Sequence, residues 1–163
     1  MFGSCNVRNM ERGLAALETV ADYQFGAGAG AALFDGSVEI RRTSSGRPQQ
    51  VLVDGERVVS YGTDGRVTLG AAGGRRLQRV LDPPAHRVVV GDDSEPFVRE
   101  ERNVFAKFVR KIDPAVRPGD EVLVEHHDGD LLAVGRAELS ADGMRAFDTG
   151  MAVSVRDGVP AEE

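Results

Sequence analysis

The chain has 163 residues, a formal net charge of −6 and a pI near 5.1, the wrong balance for a generic polyanion binder. Its one cysteine, Cys5, allows no internal disulfide and no cysteine-rich metal site. No long apolar run opens the chain, and Arg8 and Arg12 interrupt its start. The sequence predicts neither a signal peptide nor a membrane span, and a cytoplasmic protein.

In chain order, Met1–Met10 has no period and is expected to fray. Leu14, Leu17, Val20 and Ala21 give Glu11–Tyr23 one apolar helical face. The glycines of 26–30 loosen the chain before Ala31–Phe34. Val38–Arg42, Gln50–Val53, Arg57–Tyr61 and Val67–Leu69 read as strands, with hairpin turns at Asp54-Gly55 and Asp64-Gly65. Gly73–Leu81 reads as a short helix with Leu77 and Leu81 inward and Arg75, Arg76 and Arg79 outward. Asp82-Pro83-Pro84 ends it and marks a boundary.

His86–Val90 starts the second half as an apolar strand, and Ser94 is placed to cap a short helix holding Phe97. Val104–Val109 reads as a strand covered on both faces, with Lys107 as the exception between Phe105 and Phe108. Arg117–Asp120 is turn material. In Glu121–Glu125 the alternation puts Val122 and Val124 inward, Glu121 and Glu125 outward. Asp128-Gly129 turns the chain into Leu131–Leu139. Ser140 caps a helix with Met144 and Phe147 on one face, and Met151–Val155 alternates again. Many short strands with frequent turns predict a small closed barrel, which removes exposed sheet edges.

The second half resembles the PUA domain, an RNA-binding module attached to many RNA-modifying enzymes. Pro96-Phe97, Asn103–Val109, Asp113, Arg117–Val124, Leu131–Ala137, Leu139-Ser140, Met144, Phe147, Gly150 and Ala152–Arg156 carry the resemblance in order. Ala21–Phe34 (ADYQFGAGAGAALF) extends it to the C-terminal part of the archaeosine tRNA-guanine transglycosylase family, where a smaller domain precedes the PUA domain. Together the two stretches span residues 21 to 156. The large catalytic barrel of that family, with its carboxylates and zinc-binding cysteines, has no counterpart in the sequence. The expected architecture is α+β: a helix-plus-antiparallel-sheet domain over residues 1–84, a PUA pseudo-barrel over 85–158, and a loose tail over 159–163.

In PUA domains RNA docks between the helix before residue 103 and the strand after it. The resemblance assigns phosphate contact to Arg102 and Lys107, lets Asn103 and Phe105 line the approach, and puts Gly150, Met151, Ala152 and Val153 on the opposite side. Arg99 ends the same helix. Two departures stand out. Glu101, beside Glu100, occupies a position where a small residue is expected, and Gly143 stands where the family often has Glu. From the residues alone, Lys107 has two readings: its ammonium pairs with Glu100 or Glu101, or it reaches an RNA phosphate.

The charge is uneven. Residues 41–79 hold 8 arginines against 3 acids, and only Lys107 and Lys111 of the 20 cations are lysines. An acidic, arginine-using chain fits a salty, halophilic cytoplasm, and the family resemblance implies an archaeal one. There the Debye length falls to about 3 Å at 1 M salt, and contact geometry replaces long-range attraction. On this basis Arg75, Arg76 and Arg79 are expected to add to RNA binding, since their helix gives them no packing reason to be basic.

Other motifs have plainer readings. Gly26–Gly30 lacks the strand before it and the third glycine of a dinucleotide fingerprint, so a tight packing corner is expected. His126 and His127, adjacent on a strand, should point to opposite faces and share no ion. No metal, cofactor or catalytic residue is expected. The functional expectation is a non-catalytic RNA-binding protein that binds tRNA and is linked to tRNA modification. The alternative is an accessory subunit lending these domains to a separate transglycosylase-type enzyme.

Overall fold

Two sheets carry the chain in the computed structural model, which describes residues 2–62, 66–147 and 149–160. The first is a meander of β1 (Val38–Arg42), β2 (Pro48–Val53), β3 (Glu56–Tyr61) and β4 (Val67–Leu69), paired in that order. Three helices belong to it: α1 (Phe2–Phe25), α2 (Ala29–Leu33) and α3 (Ala71–Val80). Asp54 and Gly55 both take positive φ, 53° and 84°, the geometry a two-residue hairpin needs. The turn expected at Asp64-Gly65 lies outside the described residues.

Helix α1 begins at Phe2, not at Glu11. Extending an existing helix fixes one residue per hydrogen bond and needs no new nucleus, so the weak pattern of the first residues does not stop it. At the glycine corner, the Gly30 N–H donates to Asp22 Oδ1 at 2.7 Å. A Cβ on Gly30 would lie 2.5 Å from the Glu18 carbonyl oxygen, so only glycine allows α2 to pack this closely on α1.

The second sheet holds β5 (Arg87–Val90), β6 (Val104–Phe105), β7 (Val109–Ile112), β8 (Glu121–His126), β9 (Leu131–Ala137) and β10 (Met151–Gly158), in the order β6-β10-β9-β8-β5-β7. Its two edge strands, β6 and β7, are joined by a single 3-10 turn, Ala106–Phe108. The sheet must curl until its edges nearly meet, and the result is a nearly closed barrel. Val88, Val90, Val104, Val122, Val124, Leu132 and Val153 fill it. Two short helices, α4 (Glu95–Arg99) and α5 (Ala141–Ala146), flank the barrel.

Several local expectations are corrected. Val104–Val109 is not one covered strand: buried Ala106 turns inward, its N–H donating to Gly150 O at 2.8 Å, while Phe105 and Phe108 stay exposed. Ser140 caps α5 by accepting from the Gly143 N–H at 3.0 Å. Ser94 has helical dihedrals at the start of α4, and its hydroxyl caps nothing. Met144 is buried, but Phe147 lies one residue past α5 and is exposed. Val159 is not loose: it is buried, and its N–H donates to Leu132 O.

The largest correction concerns β8, which is buried on both faces. Val122 and Val124 face the barrel. Glu121, Leu123 and Glu125 face the first unit, where Leu123, Leu131, Val134 and Val159 join the core of Leu69 and Leu77. Glu121 accepts from the Leu69 N–H at 2.8 Å and pairs with Arg156. Glu125 takes hydrogen bonds from Gln78 Nε2 (2.6 Å) and Arg87 Nε (3.2 Å). Asp157 Oδ2 accepts from the Ala71 N–H at the start of α3. Alternation identified the two faces correctly, but the face read as solvated is a polar seam between the two units. The helix that covers it comes close because Gly73 and Gly74 carry no Cβ. One there would lie 2.2 Å from Val58 O and 2.3 Å from Val134 Cγ1, respectively. No helix among the described residues is long and apolar enough to cross a membrane.

Candidate nucleic-acid interface

A groove of about 520 Å³ runs between α4 and the β6–3-10 segment. Phe97, Val98, Val104, Phe105 and Phe108 make its apolar part, and Asp93, Ser94, Glu101, Arg102 and Asn103 its polar part. Phe97, Phe105 and Phe108 are all exposed along this one groove and leave a contiguous apolar area in water. The backbone explains their placement. Glu101 takes φ 69°, and the Arg102 N–H turns back to Phe97 O at 3.0 Å, so the chain leaves α4 sharply and brings Arg102 to the groove. Asn103 Oδ1 accepts from the Val155 N–H at 3.0 Å, which pins this polar part to β10 beside its bulge.

Lys107 is exposed, and its Nζ lies 5.0 Å from the centre of the Phe108 ring. Among the described residues it pairs with neither Glu100 nor Glu101. The 3-10 turn carries it outward. Glu101 leans toward the end of β10, with Oε1 3.5 Å from the Gly158 N–H.

On the opposite side, Met151 pairs with Phe105 across β6 and β10 and is partly exposed. Ala152 and Val153 are fully buried in the barrel, so their side chains do not reach the groove. Gly150 contributes its carbonyl, which holds Ala106.

Arg99 lies away from this groove. It pairs with Glu95 at 3.2 Å and donates to Val159 O at 3.0 Å. It lines a second, polar depression of about 350 Å³ together with Arg75, Arg79, Gln78, Glu95 and Asp130. Arg76 leaves the expected trio. Its guanidinium donates to Asp35 O at 2.6 Å and sits 3.8 Å from Asp54, tying α3 to the segment between α2 and β1. The trio thus divides into two exposed arginines and one with a structural partner. Phe97 and Phe108 are the groove residues that sequence reasoning missed: one was read as a helix residue, the other as covered.

At the far end of β8, His126 and His127 converge rather than diverge. Strand β8 stops at His126, so alternation no longer governs His127. Their rings lie 4.1 Å apart at 35°. Both Nε2 atoms approach Asp92 Oδ1, at 2.5 and 3.0 Å. His126 Nδ1 lies 2.8 Å from Asp128 Oδ1. The Asp128 hydrogen bond raises the His126 pKa above its usual value against the opposing effect of burial, and Asp92 adds to the rise. Hydrogen bonds from His126 and His127 hold Asp92 below the usual carboxylate range. Asp128 is lowered by the Asp130 backbone N–H first and by His126 second.

Comparison with known proteins places both sheets. Residues 15–84 match the patch-forming domain C2 of tRNA-guanine transglycosylase, and residues 86–159 match the PUA domain. The tRNA-guanine(15) transglycosylase of Pyrococcus furiosus is 45% identical over 150 residues, which cover 91% of this chain and 25% of that protein. That of Thermococcus kodakarensis is 47% identical over 141 residues, covering 86% and 24%. The chain spans about a quarter of the length of these relatives. A conserved PUA domain protein from Thermoplasma acidophilum shares the fold with a TM-score of 0.65 at 20% identity, covering 93% of this chain and 91% of that one. A hypothetical protein from Pyrococcus horikoshii OT3 gives 0.67 at 21%, covering 89% of each.

Proposed function

We propose, for a chain built of a transglycosylase-type patch-forming C2 domain joined to a PUA domain, that it binds RNA, that the RNA is tRNA, and that its work belongs to tRNA modification. The observation that carries this reading is the groove between α4 and the 3-10 turn. Phe97, Phe105 and Phe108 offer ring faces on which unstacked bases can lie, an interaction worth about 1–3 kcal/mol per base. Arg102 and Lys107 stand at its margin as cations without acidic partners among the described residues, placed for phosphates. Arg75, Arg79 and Arg99 would extend the contact over the polar depression, with Arg76 acting through the position of α3. The chain is read as non-catalytic, since the matched domains are the RNA-binding PUA domain and the patch-forming C2 domain.

The test is binding of unmodified tRNA by wild type and by Arg102→Gln and Phe105→Ala chains, measured across a salt series. Loss of affinity in both, with a shallower salt slope for Arg102→Gln alone, is expected. Unchanged binding in both sinks the groove assignment. Incubation with tRNA and labelled guanine should give no base exchange.

In a second reading the chain lends its tRNA-binding surface to a separate transglycosylase-type enzyme, since its two matched domains are those found in the tRNA-guanine(15) transglycosylases. Co-purification of such an enzyme from native cells, and faster base exchange when the two are mixed, separate this reading from a free-standing binder.

A further inference from the structure

We propose that Asp92, His126 and His127 form a three-donor site for a divalent first-row transition ion, zinc before others. The topology brings them together. Strands β5 and β8 run parallel, with Val90 beside His126, and the His127 N–H donates to Val90 O at 3.0 Å. Both strands therefore end at the same rim of the barrel. The chain leaving β5 through Gly91 passes over the two imidazoles on its way to α4. Asp92 lies on that passage, and Glu95 opens the helix.

The donor atoms are close enough for one ion. The Asp92, His126 and His127 donor atoms all lie within 4.8 Å of one another. Glu95 Oε2 is 3.6 Å from His126 Nε2. Bonds of about 2.0–2.2 Å in a tetrahedron need neighbouring donors roughly 3.3–3.6 Å apart. The spacings from His126 and His127 to Asp92, 2.5 and 3.0 Å, need to open by roughly 0.3–1.1 Å. Asp92, 76% exposed, and His127, 44% exposed, have room to move, while His126 is buried at 6%.

His126 is held as a ligand should be. Asp128 Oδ1, 2.8 Å from its Nδ1, would keep a proton there while an ion displaces the proton that Nε2 shares with Asp92. Imidazole with carboxylate suits zinc, cobalt or nickel better than calcium or magnesium, which prefer all-oxygen shells. An ion there would tie the β5–α4 passage to the β8–β9 turn. Both hydrophobic cores lie elsewhere, so the apo chain keeps its fold. This reverses the expectation, drawn from strand alternation, that two adjacent histidines share no ion.

The test uses the untagged full chain, with zinc titrated by calorimetry and cobalt followed by its visible absorption. One zinc per chain and a tetrahedral cobalt spectrum are expected. Asp92→Asn and His127→Ala change exposed side chains and should leave the circular dichroism spectrum intact. Each should weaken zinc binding at least about tenfold, and Asp128→Asn should weaken it about 10–100-fold by loosening His126. No zinc binding at about 1 mM, which corresponds to less than about 4 kcal/mol, would overturn the site. So would binding that Asp92→Asn and His127→Ala leave unchanged, which would mark adventitious surface ions.

Discussion

Arg156 grips Glu121 with both ends of its guanidinium, Nη1 at 2.5 Å from Oε1 and Nη2 at 2.8 Å from Oε2. The same carboxylate takes the Leu69 N–H, and the same arginine donates to Leu69 O at 3.2 Å. Two side chains of the second sheet thus close off the end of β4 in the first.

Arg156→Ala is expected to destabilise the chain by ~3–5 kcal/mol, because it leaves the Glu121 carboxylate buried without its partner. Replacing both by methionine should recover most of that loss, since a buried pair contributes little beyond an apolar pair of similar volume. Urea unfolding of the single and double variants measures this. A single variant as stable as wild type would contradict the burial of Glu121.

Lys107→Met is expected to change stability by less than about 1 kcal/mol, since the ammonium is exposed and meets only the Phe108 ring. Affinity for tRNA should fall about tenfold, equivalent to 1.4 kcal/mol. A thermal scan and a filter-binding titration of this one variant report both quantities. Lost stability with binding intact would mean that Lys107 serves the fold.

Arg75→Gln and Arg79→Gln together should leave the unfolding midpoint unchanged. They should flatten the salt dependence of tRNA binding by about 0.7–0.9 per lost phosphate contact. Arg76→Gln should do the reverse. It removes hydrogen bonds to Asp35 O and Ala32 O, with a loss of ~1 kcal/mol in stability and no direct effect on the slope.

Tyr61 has a buried hydroxyl with no hydrogen-bond partner among the described residues, and burial pushes its pKa up to about 12. Because the unfolded chain ionises this group near pH 10 and the folded chain only near 12, stability is undiminished by its titration below about pH 10 and falls as pH rises from there toward 12. Tyr61→Phe should raise stability at neutral pH by ~1 kcal/mol by removing an unsatisfied hydroxyl. It should also flatten the fall in stability between about pH 10 and pH 12. Chemical denaturation at pH 7, 10 and 11 on both chains checks the two effects.

Much of the fold was legible because strand alternation and turn residues are local. Asp54-Gly55 and Asp128-Gly129 turn as their residues require, and Ser140 caps α5. What stayed hidden depends on contacts between distant segments. Nothing near Glu121 or Glu125 in the sequence says that α3 and β4 will cover them, so their face reads as solvated. Phe97, Phe105 and Phe108 look like core residues until the 3-10 turn at Ala106 throws two of them outward. The meeting of Asp92 with His126 and His127 follows from a parallel pairing that no short pattern announces. The groove was placed by family resemblance. Its aromatic lining was visible only in three dimensions.

Gly73 and Gly74 let one helix touch both sheets at once, so the proline pair at 83–84 divides the sequence without dividing the interior. A fragment beginning after Pro84 would bare Leu123, Leu131, Val134 and Val159 to water and leave Glu121 beside an emptied socket. Recombination that moved either half alone to another gene would deliver an incomplete body. What can be inherited, fused or borrowed as a working piece is the pair.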